Sequence, residues 1–211
     1  MNILFDLDGT LTDPFTGITR CIAYALEKLG KKSPPPAELT WCIGPPLRDS
    51  FRILLGPDED LTEEALSLYR ERFSRTGMFE NRVYDGIPEA LENLKSMGHS
   101  LFVATSKPQV FAQQIIAHFR LHPFFREIYG CELDGTRGDK PSLISHVLQE
   151  ESLPASDTVM IGDTGYDMAG AEKNGISGVG VLWGFGTREE LEASGARVCI
   201  GSPRELTSLF P

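Results

Sequence analysis

Residues 2–13, which read NILFDLDGTLTD, decide how this chain is expected to fold. The apolar run from Ile3 to Phe5 predicts a short buried strand, and that strand leads directly into two carboxylates, Asp6 and Asp8. Buried carboxylates are unfavourable unless a cation or a hydrogen-bond network compensates their charge. An ordinary strand followed by a polar Asp-Gly turn is the alternative interpretation of the same residues. The residues downstream decide between a charged site and a simple turn.

After residue 84, predicted strands alternate with predicted helices. The strands are expected at residues 100–104, 127–130, 158–161, 177–182 and 197–200, and the helices at 87–97, 110–118, 141–150, 167–174, 189–193 and 203–210. Such alternation implies crossover connections and a parallel sheet. Residues 13–84 carry helical patterns without a clear strand. The sequence therefore predicts an α/β fold, a doubly wound parallel sheet in residues 1–13 and 85–211, with a small α-helical cap domain inserted at residues 14–84.

The composition argues against several functional classes. The 211 residues are 41% hydrophobic and 24% charged, as in globular proteins, and their net charge of −10 argues against binding to nucleic acid or anionic membranes. No apolar run approaches the roughly 20 residues of a membrane span, and no signal segment is apparent. The four cysteines are scattered without a zinc-like spacing. We therefore expect a cytoplasmic protein with reduced thiols. The composition does not determine the oligomeric state, for which a monomer is the default and a dimer the alternative.

Four polar groups follow predicted strands or begin a predicted helix, where ligands bind in parallel sheets. They are Asp6 with Asp8, Thr105-Ser106-Lys107, Lys140, and Asp163 with Asp167. Each alone has an ordinary structural explanation, such as a helix cap, a surface lysine or a turn. Together, three to four carboxylates at one edge of a sheet require a divalent cation, and oxygen ligands favour Mg²⁺ over zinc.

Four motifs, in the same order, resemble those of the haloacid dehalogenase superfamily. They are DLDGTLTD at residues 6–13, ATSKP at 104–108, GDKP at 138–141 and GDTGYDM at 162–168. The resemblance covers nearly the whole chain, includes the helical insertion, and is closer to the phosphoglycolate phosphatase-like group with a helical cap. It implies a Mg²⁺-dependent phosphatase acting on a small phosphorylated metabolite.

The resemblance also implies roles for the two carboxylates after the first strand. Asp6 would be the nucleophile that forms an aspartyl-phosphate. Asp8 would act as general acid and then as general base, and its backbone carbonyl would join Asp6 as a ligand of Mg²⁺. An aspartate at the second position favours a phosphatase or a mutase over a phosphoryl-transferring ATPase or a dehalogenase.

The remaining roles fall on the later motifs. Thr105 would bind the transferring phosphoryl group, and Lys140 would offset the charges of that group and of Asp6. Asp163 and Asp167 would hold Mg²⁺, the latter directly or through water. Ser106, next to Thr105, is a further candidate for contact with the substrate.

Substrate choice is expected to depend on the cap. The stiff turn Gly44-Pro45-Pro46 precedes Arg48, which would pair with a second anionic group of the substrate or, alternatively, form salt bridges with the cap helices. Trp41 and Trp183 are assigned to packing. The leading substrate is 2-phosphoglycolate or a similar phosphomonoester. The alternatives are 5'-nucleotidase or sugar-phosphate phosphatase activity, a β-phosphoglucomutase-like transfer, and a non-catalytic phosphate- or partner-binding protein.

Overall fold

The computed structural model describes residues 1–210 and divides the chain into two compact units. One unit comprises Met1–Thr12 and the chain from Val83 onward, and the other comprises Asp13–Arg82. Residue 211, the last residue of the expected core domain, lies outside the described residues.

The strands and helices follow the predicted alternation. The strands are β1 (Asn2–Phe5), β2 (Thr12–Asp13), β3 (Arg82–Val83), β4 (Ser100–Pro108), β5 (Glu127–Cys131), β6 (Thr158–Gly162), β7 (Ser177–Val181) and β8 (Ala196–Ile200). The helices are α1 (Phe15–Lys28), α2 (Leu47–Leu55), α3 (Glu59–Arg75), α4 (Ile87–Ser96), α5 (Gln109–His118), α6 (Lys140–Glu150), α7 (Gly165–Lys173), α8 (Arg188–Ala193) and α9 (Glu205–Leu209). Short 3-10 helices lie at Pro36–Cys42, Gly77–Phe79, His122–Phe124 and Ala155–Asp157.

The first unit contains a parallel sheet of six strands in the order β5-β4-β1-β6-β7-β8, flanked by helices. The predicted doubly wound α/β fold is therefore confirmed. The strand β4 continues to Pro108, beyond the predicted end at residue 104, and its pairing with β5 shifts register between Thr105 and Pro108. The short strands β2 and β3 pair separately with each other.

The central strand β1 lies between β4 and β6 and is apolar because its side chains are buried in the core. Leu4 is aligned with Phe102 of β4 and with Met160 of β6, and all three side chains are fully buried. Their cluster also contains Leu143 of α6 and Ala171 of α7. This packing fixes β1 between β4 and β6, so residues that follow these three strands emerge side by side at the carboxyl edge of the sheet.

The second unit is helical, as its patterns predict. The helices α1 and α3 pack together, and the buried face of α1 includes Ile18 and Ile22. The helix α3 begins at an N-cap, Asp58, whose side chain accepts a hydrogen bond from the backbone N–H of Leu61. Trp41 is 42% exposed, so it does not belong to the buried core of this unit. Within residues 1–210, no helix combines the length and the apolar character needed to cross a bilayer, and no disulfide joins the cysteines.

Candidate active site

The carboxyl edge of the sheet brings together charged residues that are far apart in sequence. Asp6 directly follows β1, and its backbone N–H donates to the carbonyl oxygen of Ile161 at 2.9 Å, which extends the pairing with β6. Asp163 follows β6 by one residue, and Thr105 lies within β4 on the other side of β1. The parallel register therefore accounts for the convergence of these motifs.

Lys140 is the cation at the centre of this group. It is only 5% exposed, and its Nζ donates to Asp6 Oδ1 at 2.8 Å and to the carbonyl oxygen of Ala104 at 3.0 Å. The same Nζ forms an ion pair with Asp167 Oδ1 at 2.7 Å. Lys140 is the first residue of α6, whose N-cap, Asp139, accepts from the backbone N–H of Ser142. A capped helix thus carries the ammonium group to the end of β1.

Asp163 is fully buried and is held from two directions. Thr10 Oγ1 donates to its Oδ1 at 3.3 Å, and the backbone N–H of Phe185 donates to its Oδ2 at 2.8 Å. Gly9 has φ of +85°, and a Cβ at this position would overlap the Asp163 carboxylate. The Asp-Gly turn of the first motif is therefore part of the site, because its glycine makes room for Asp163.

Asp167 is fixed by the start of α7. The backbone N–H and the hydroxyl of Thr164 donate to Asp167 Oδ2 at 3.1 and 2.9 Å in a capping box. A Cβ on Gly162 would overlap the Asp167 side chain, so that glycine permits the close approach. With Oδ2 held by Thr164, Oδ1 is directed toward Lys140.

Burial and neighbouring charges together raise the pKa values of Asp163, Asp167 and Lys140. Burial raises the pKa of Asp163 well above its ordinary value, and the nearby carboxylates of Asp167 and Asp6 raise it further. Burial also raises the pKa of Asp167, although Lys140 opposes this effect. Burial alone would lower the pKa of Lys140, but Asp167 and Asp6 outweigh it and raise that pKa. Lys140 is therefore charged, and one ammonium group faces three buried carboxyl groups.

The donor set fits a divalent cation. One carboxylate oxygen from each of Asp6, Asp163 and Asp167 lies within 4.8 Å of the others, and all three residues are buried. These three carboxylates outnumber Lys140, the lysine that contacts Asp6 and Asp167, and a divalent ion would balance the excess negative charge. Oxygen ligands favour a hard cation. The backbone carbonyl of Asp8, the other expected ligand, stays a prediction.

Asp8 lies beside the lysine of the second motif. Lys107 Nζ contacts Asp8 Oδ2 at 2.5 Å, and the two side chains are only 7% and 13% exposed. Burial raises the pKa of Asp8, and Lys107 opposes that shift. The backbone N–H of Lys107 donates to Thr105 Oγ1 at 3.3 Å, and Thr105 is buried. Thr105, Lys107 and Asp8 thus form a contiguous group on the β4 side of β1.

The two remaining candidates lie in different surroundings. Ser106 is partly buried between Thr105 and Lys107, and its backbone oxygen accepts from Cys131 Sγ at 3.0 Å. Arg48 belongs to α2 in the second unit, where its guanidinium forms ion pairs with Glu59, at 3.4 Å, and with Glu63. These ion pairs correspond to the alternative interpretation of Arg48. They are exposed and therefore worth less than about 1 kcal/mol, so its contact with a substrate stays a prediction.

Sequence reasoning missed the contacts that hold Asp163 in place. Thr10 binds Asp163 directly, and the segment Trp183–Gly186 wraps it through the N–H of Phe185 and through the N–H of Gly186, which donates to the Asp163 carbonyl at 3.1 Å. Trp183, which was assigned to packing, donates its Nε1–H to the Thr10 carbonyl at 3.0 Å. The position of this glycine-rich segment, just after β7 at the carboxyl edge, was the signal that could have identified it.

Comparison with known proteins agrees with this geometry. Residues 3–181 match the family model described as haloacid dehalogenase-like hydrolase. A 5'-nucleotidase of Pseudomonas aeruginosa is 54% identical over 91% of this chain and 87% of its own length. The tyrosine-protein kinase PtkA of Mycobacterium tuberculosis is 36% identical over 93% of this chain and 67% of its own length.

A further relative and a solved structure also carry the names of phosphatases. A phosphoglycolate phosphatase of Colwellia psychrerythraea is 27% identical over 97% of this chain and 94% of its own length. The crystal structure of a protein from Clostridium acetobutylicum, described as a predicted phosphatase, superposes with a TM-score of 0.94 at 43% identity, covering 99% of this chain and 96% of that one.

Proposed function

This chain belongs to the haloacid dehalogenase-like hydrolase family and is a phosphomonoester hydrolase, and from that premise we propose that it works through an aspartyl-phosphate on Asp6 with Mg²⁺ as cofactor. The observation that carries the proposal is the buried cluster in which Lys140 contacts both Asp6 and Asp167 while Asp163 lies alongside. Asp6, Asp163 and Asp167 would hold the ion. The chemistry supplied by bound Mg²⁺ is positive charge that offsets the repulsion between a carboxylate and a phosphate.

The first step is transfer of the phosphoryl group from the substrate to the protein. A carboxylate oxygen of Asp6 forms a bond to phosphorus, while the bond from phosphorus to the leaving oxygen breaks and its electron pair stays with that oxygen. Asp8 gives its proton to the leaving oxygen, so that an alcohol departs. Lys140 and the Thr105 hydroxyl stabilise the charge on the transferring group.

The second step returns the protein to its starting state. Asp8, now a carboxylate, takes a proton from water, and the water oxygen bonds to phosphorus. The bond between phosphorus and the Asp6 oxygen breaks, which regenerates the Asp6 carboxylate and releases inorganic phosphate. The net reaction consumes one phosphomonoester and one water and yields one alcohol and one phosphate.

Two substrate classes deserve direct comparison. A small phosphomonoester such as 2-phosphoglycolate is the first, and it is supported by relatives named phosphoglycolate phosphatase. A nucleoside 5'-monophosphate is the second, and it is favoured by the 54% identity to the Pseudomonas 5'-nucleotidase. Both are alkyl phosphates, so both would need the proton that Asp8 supplies.

A panel of phosphate esters tests the proposal. Phosphate release from 2-phosphoglycolate, AMP, glucose 6-phosphate and an aryl phosphate is measured with Mg²⁺ and after thorough chelation. We expect activity that requires the metal and that Asp6→Asn lowers by about 10³-fold or more without loss of the fold. Activity that persists in Asp6→Asn, or after chelation, would contradict the proposal.

Measurement of free phosphate also distinguishes water from two other phosphoryl acceptors. A β-phosphoglucomutase-like protein would convert β-glucose 1-phosphate to glucose 6-phosphate without releasing phosphate. Transfer to a tyrosine hydroxyl, which the name of the PtkA relative implies for that protein, would likewise leave no free phosphate. Stoichiometric phosphate release identifies water as the acceptor.

A further inference from the structure

The two oxygens of the Asp8 carboxylate have different surroundings. Oδ2 contacts Lys107 Nζ, whereas Oδ1 is shielded from solvent and has no hydrogen-bond partner within residues 1–210. A buried carboxylate oxygen without a partner is unfavourable by about 1–3 kcal/mol, so its persistence calls for an explanation. A reacting group that arrives only with the substrate would supply the missing partner.

The backbone around Lys107 is shaped to bring its ammonium group to Asp8. The register of β4 against β5 shifts between Thr105 and Pro108, and such irregularities redirect side chains beside functional sites. A Cβ on Gly130 of β5 would lie 2.5 Å from the Lys107 carbonyl oxygen, so this glycine permits the close approach of the two strands. The backbone N–H of Lys107 also donates to Thr105 Oγ1. One residue thus orients two side chains of the proposed mechanism.

We propose that Lys107 is a positioning residue that holds Asp8 by Oδ2 and leaves Oδ1 to exchange the proton with the leaving oxygen and then with water. This inference rests on the proposed function, because it assigns the acid–base work of Asp8 to one particular oxygen. Lys107 itself takes no part in bond making. Without it the Asp8 carboxylate can rotate, and the alignment on which proton transfer depends is lost.

A different role for Lys107, direct binding of the substrate phosphoryl group, would give a different kinetic pattern. The parameter kcat/KM reports phosphoryl transfer to Asp6, in which an alkyl leaving group needs a proton and a nitrophenolate leaving group scarcely does. Poor positioning of Asp8 therefore harms alkyl phosphates selectively. Loss of a phosphoryl contact would harm both classes equally.

The experiment compares Lys107→Met with wild type on 4-nitrophenyl phosphate and on the better of 2-phosphoglycolate and AMP. We expect kcat/KM to fall by about 10²-fold for the alkyl phosphate and to change little for the aryl phosphate. Lys107→Arg, which keeps a positive donor, should restore part of the alkyl activity. Lys173→Met, at an exposed lysine of α7, is the matched control and should behave as wild type. Lys107→Gln replaces Lys107→Met if the latter does not fold.

Asp8→Asn separates failure of this inference from failure of the proposed function. If Asp8 is the acid, Asp8→Asn shows the same selective loss, and adding Lys107→Met to it causes no further loss. Equal losses on both substrates, no loss, or additive effects in the double variant would overturn the role of Lys107. A wild-type protein that releases no phosphate, or whose activity Asp6→Asn leaves intact, would overturn the proposed function instead.

Discussion

Replacement of Lys140 by methionine removes one positive charge from the centre of the carboxylate cluster and keeps most of the side-chain volume. The wild-type ammonium contacts Asp6 Oδ1, Asp167 Oδ1 and the Ala104 carbonyl oxygen, all within 3.0 Å. Lys140→Met leaves both carboxylates and the carbonyl oxygen buried without this partner. Breaking a buried ion pair by removing one member typically costs about 3–5 kcal/mol in the free energy of unfolding.

The stability lost in Lys140→Met should be larger at high pH than at low pH. Burial already raises the pKa of Asp167, and Lys140 opposes that shift, so its loss raises the pKa of Asp167 further. A carboxyl group whose pKa is higher in the folded than in the unfolded protein favours folding at low pH, and this contribution is lost as the pH rises through the folded value. The deficit of Lys140→Met should therefore be largest in alkaline solution and should shrink as the pH falls.

Urea denaturation of the metal-free protein at about pH 8 and about pH 5 measures the free energy of unfolding that Lys140→Met loses and the dependence of that loss on pH. Lys173→Met, which removes an exposed lysine from α7, is the matched control and should change stability by less than about 0.5 kcal/mol. A Lys140→Met variant as stable as wild type at pH 8, or one whose deficit grows on acidification, would refute the account of the buried cluster.

Three further predictions concern the metal, the first motif and the second unit. Without metal, the free energy of unfolding should fall as the pH rises through the raised pKa of Asp163, and saturating Mg²⁺ should abolish that fall. Identical urea profiles with and without Mg²⁺ would contradict the metal site. Gly9→Ala should lower kcat by about 10²-fold, because its Cβ displaces the Asp163 carboxylate. Gly175→Ala is the control, since Gly175 also has a positive φ but open space around its Cβ, and it should keep the wild-type kcat. Equal kcat values for the two variants would contradict this reasoning. Arg48→Ala should lower kcat/KM more for 2-phosphoglycolate than for 4-nitrophenyl phosphate, and an unchanged ratio would show that Arg48 serves only its ion pairs with Glu59 and Glu63.

The sequence predicts the sheet and its charged edge because both follow from short-range patterns. Apolar runs such as the one at Ile3–Phe5 identify buried strands, and the alternation of strands and helices implies a parallel sheet. In such a sheet the carboxyl ends of the strands share one edge. The meeting of Asp6 with Asp163, 157 positions apart in sequence, is therefore expected before any contact is known.

The contacts that hold these side chains in place were not predictable in the same way. Trp183 reaches the Thr10 carbonyl because the segment after β7 folds back over Asp163, and no periodicity in the sequence encodes that loop path. Lys107, which contacts Asp8, lies within the register shift between β4 and β5, where the absence of a side chain on Gly130 permits the two strands to approach closely. Loop paths and strand irregularities of this kind arise from tertiary packing.

The identity of the nucleophile is the central claim, and chemical trapping tests it most directly. The wild-type protein is quenched in acid during turnover with Mg²⁺ and substrate, and borohydride then reduces any acyl phosphate to an alcohol, which peptide mass mapping locates. We predict that the reduced carboxyl carbon belongs to Asp6 and that Asp6→Asn yields no reduced residue. Reduction at Asp8 or Asp163, or steady phosphate release with no reduced residue at all, would contradict the account.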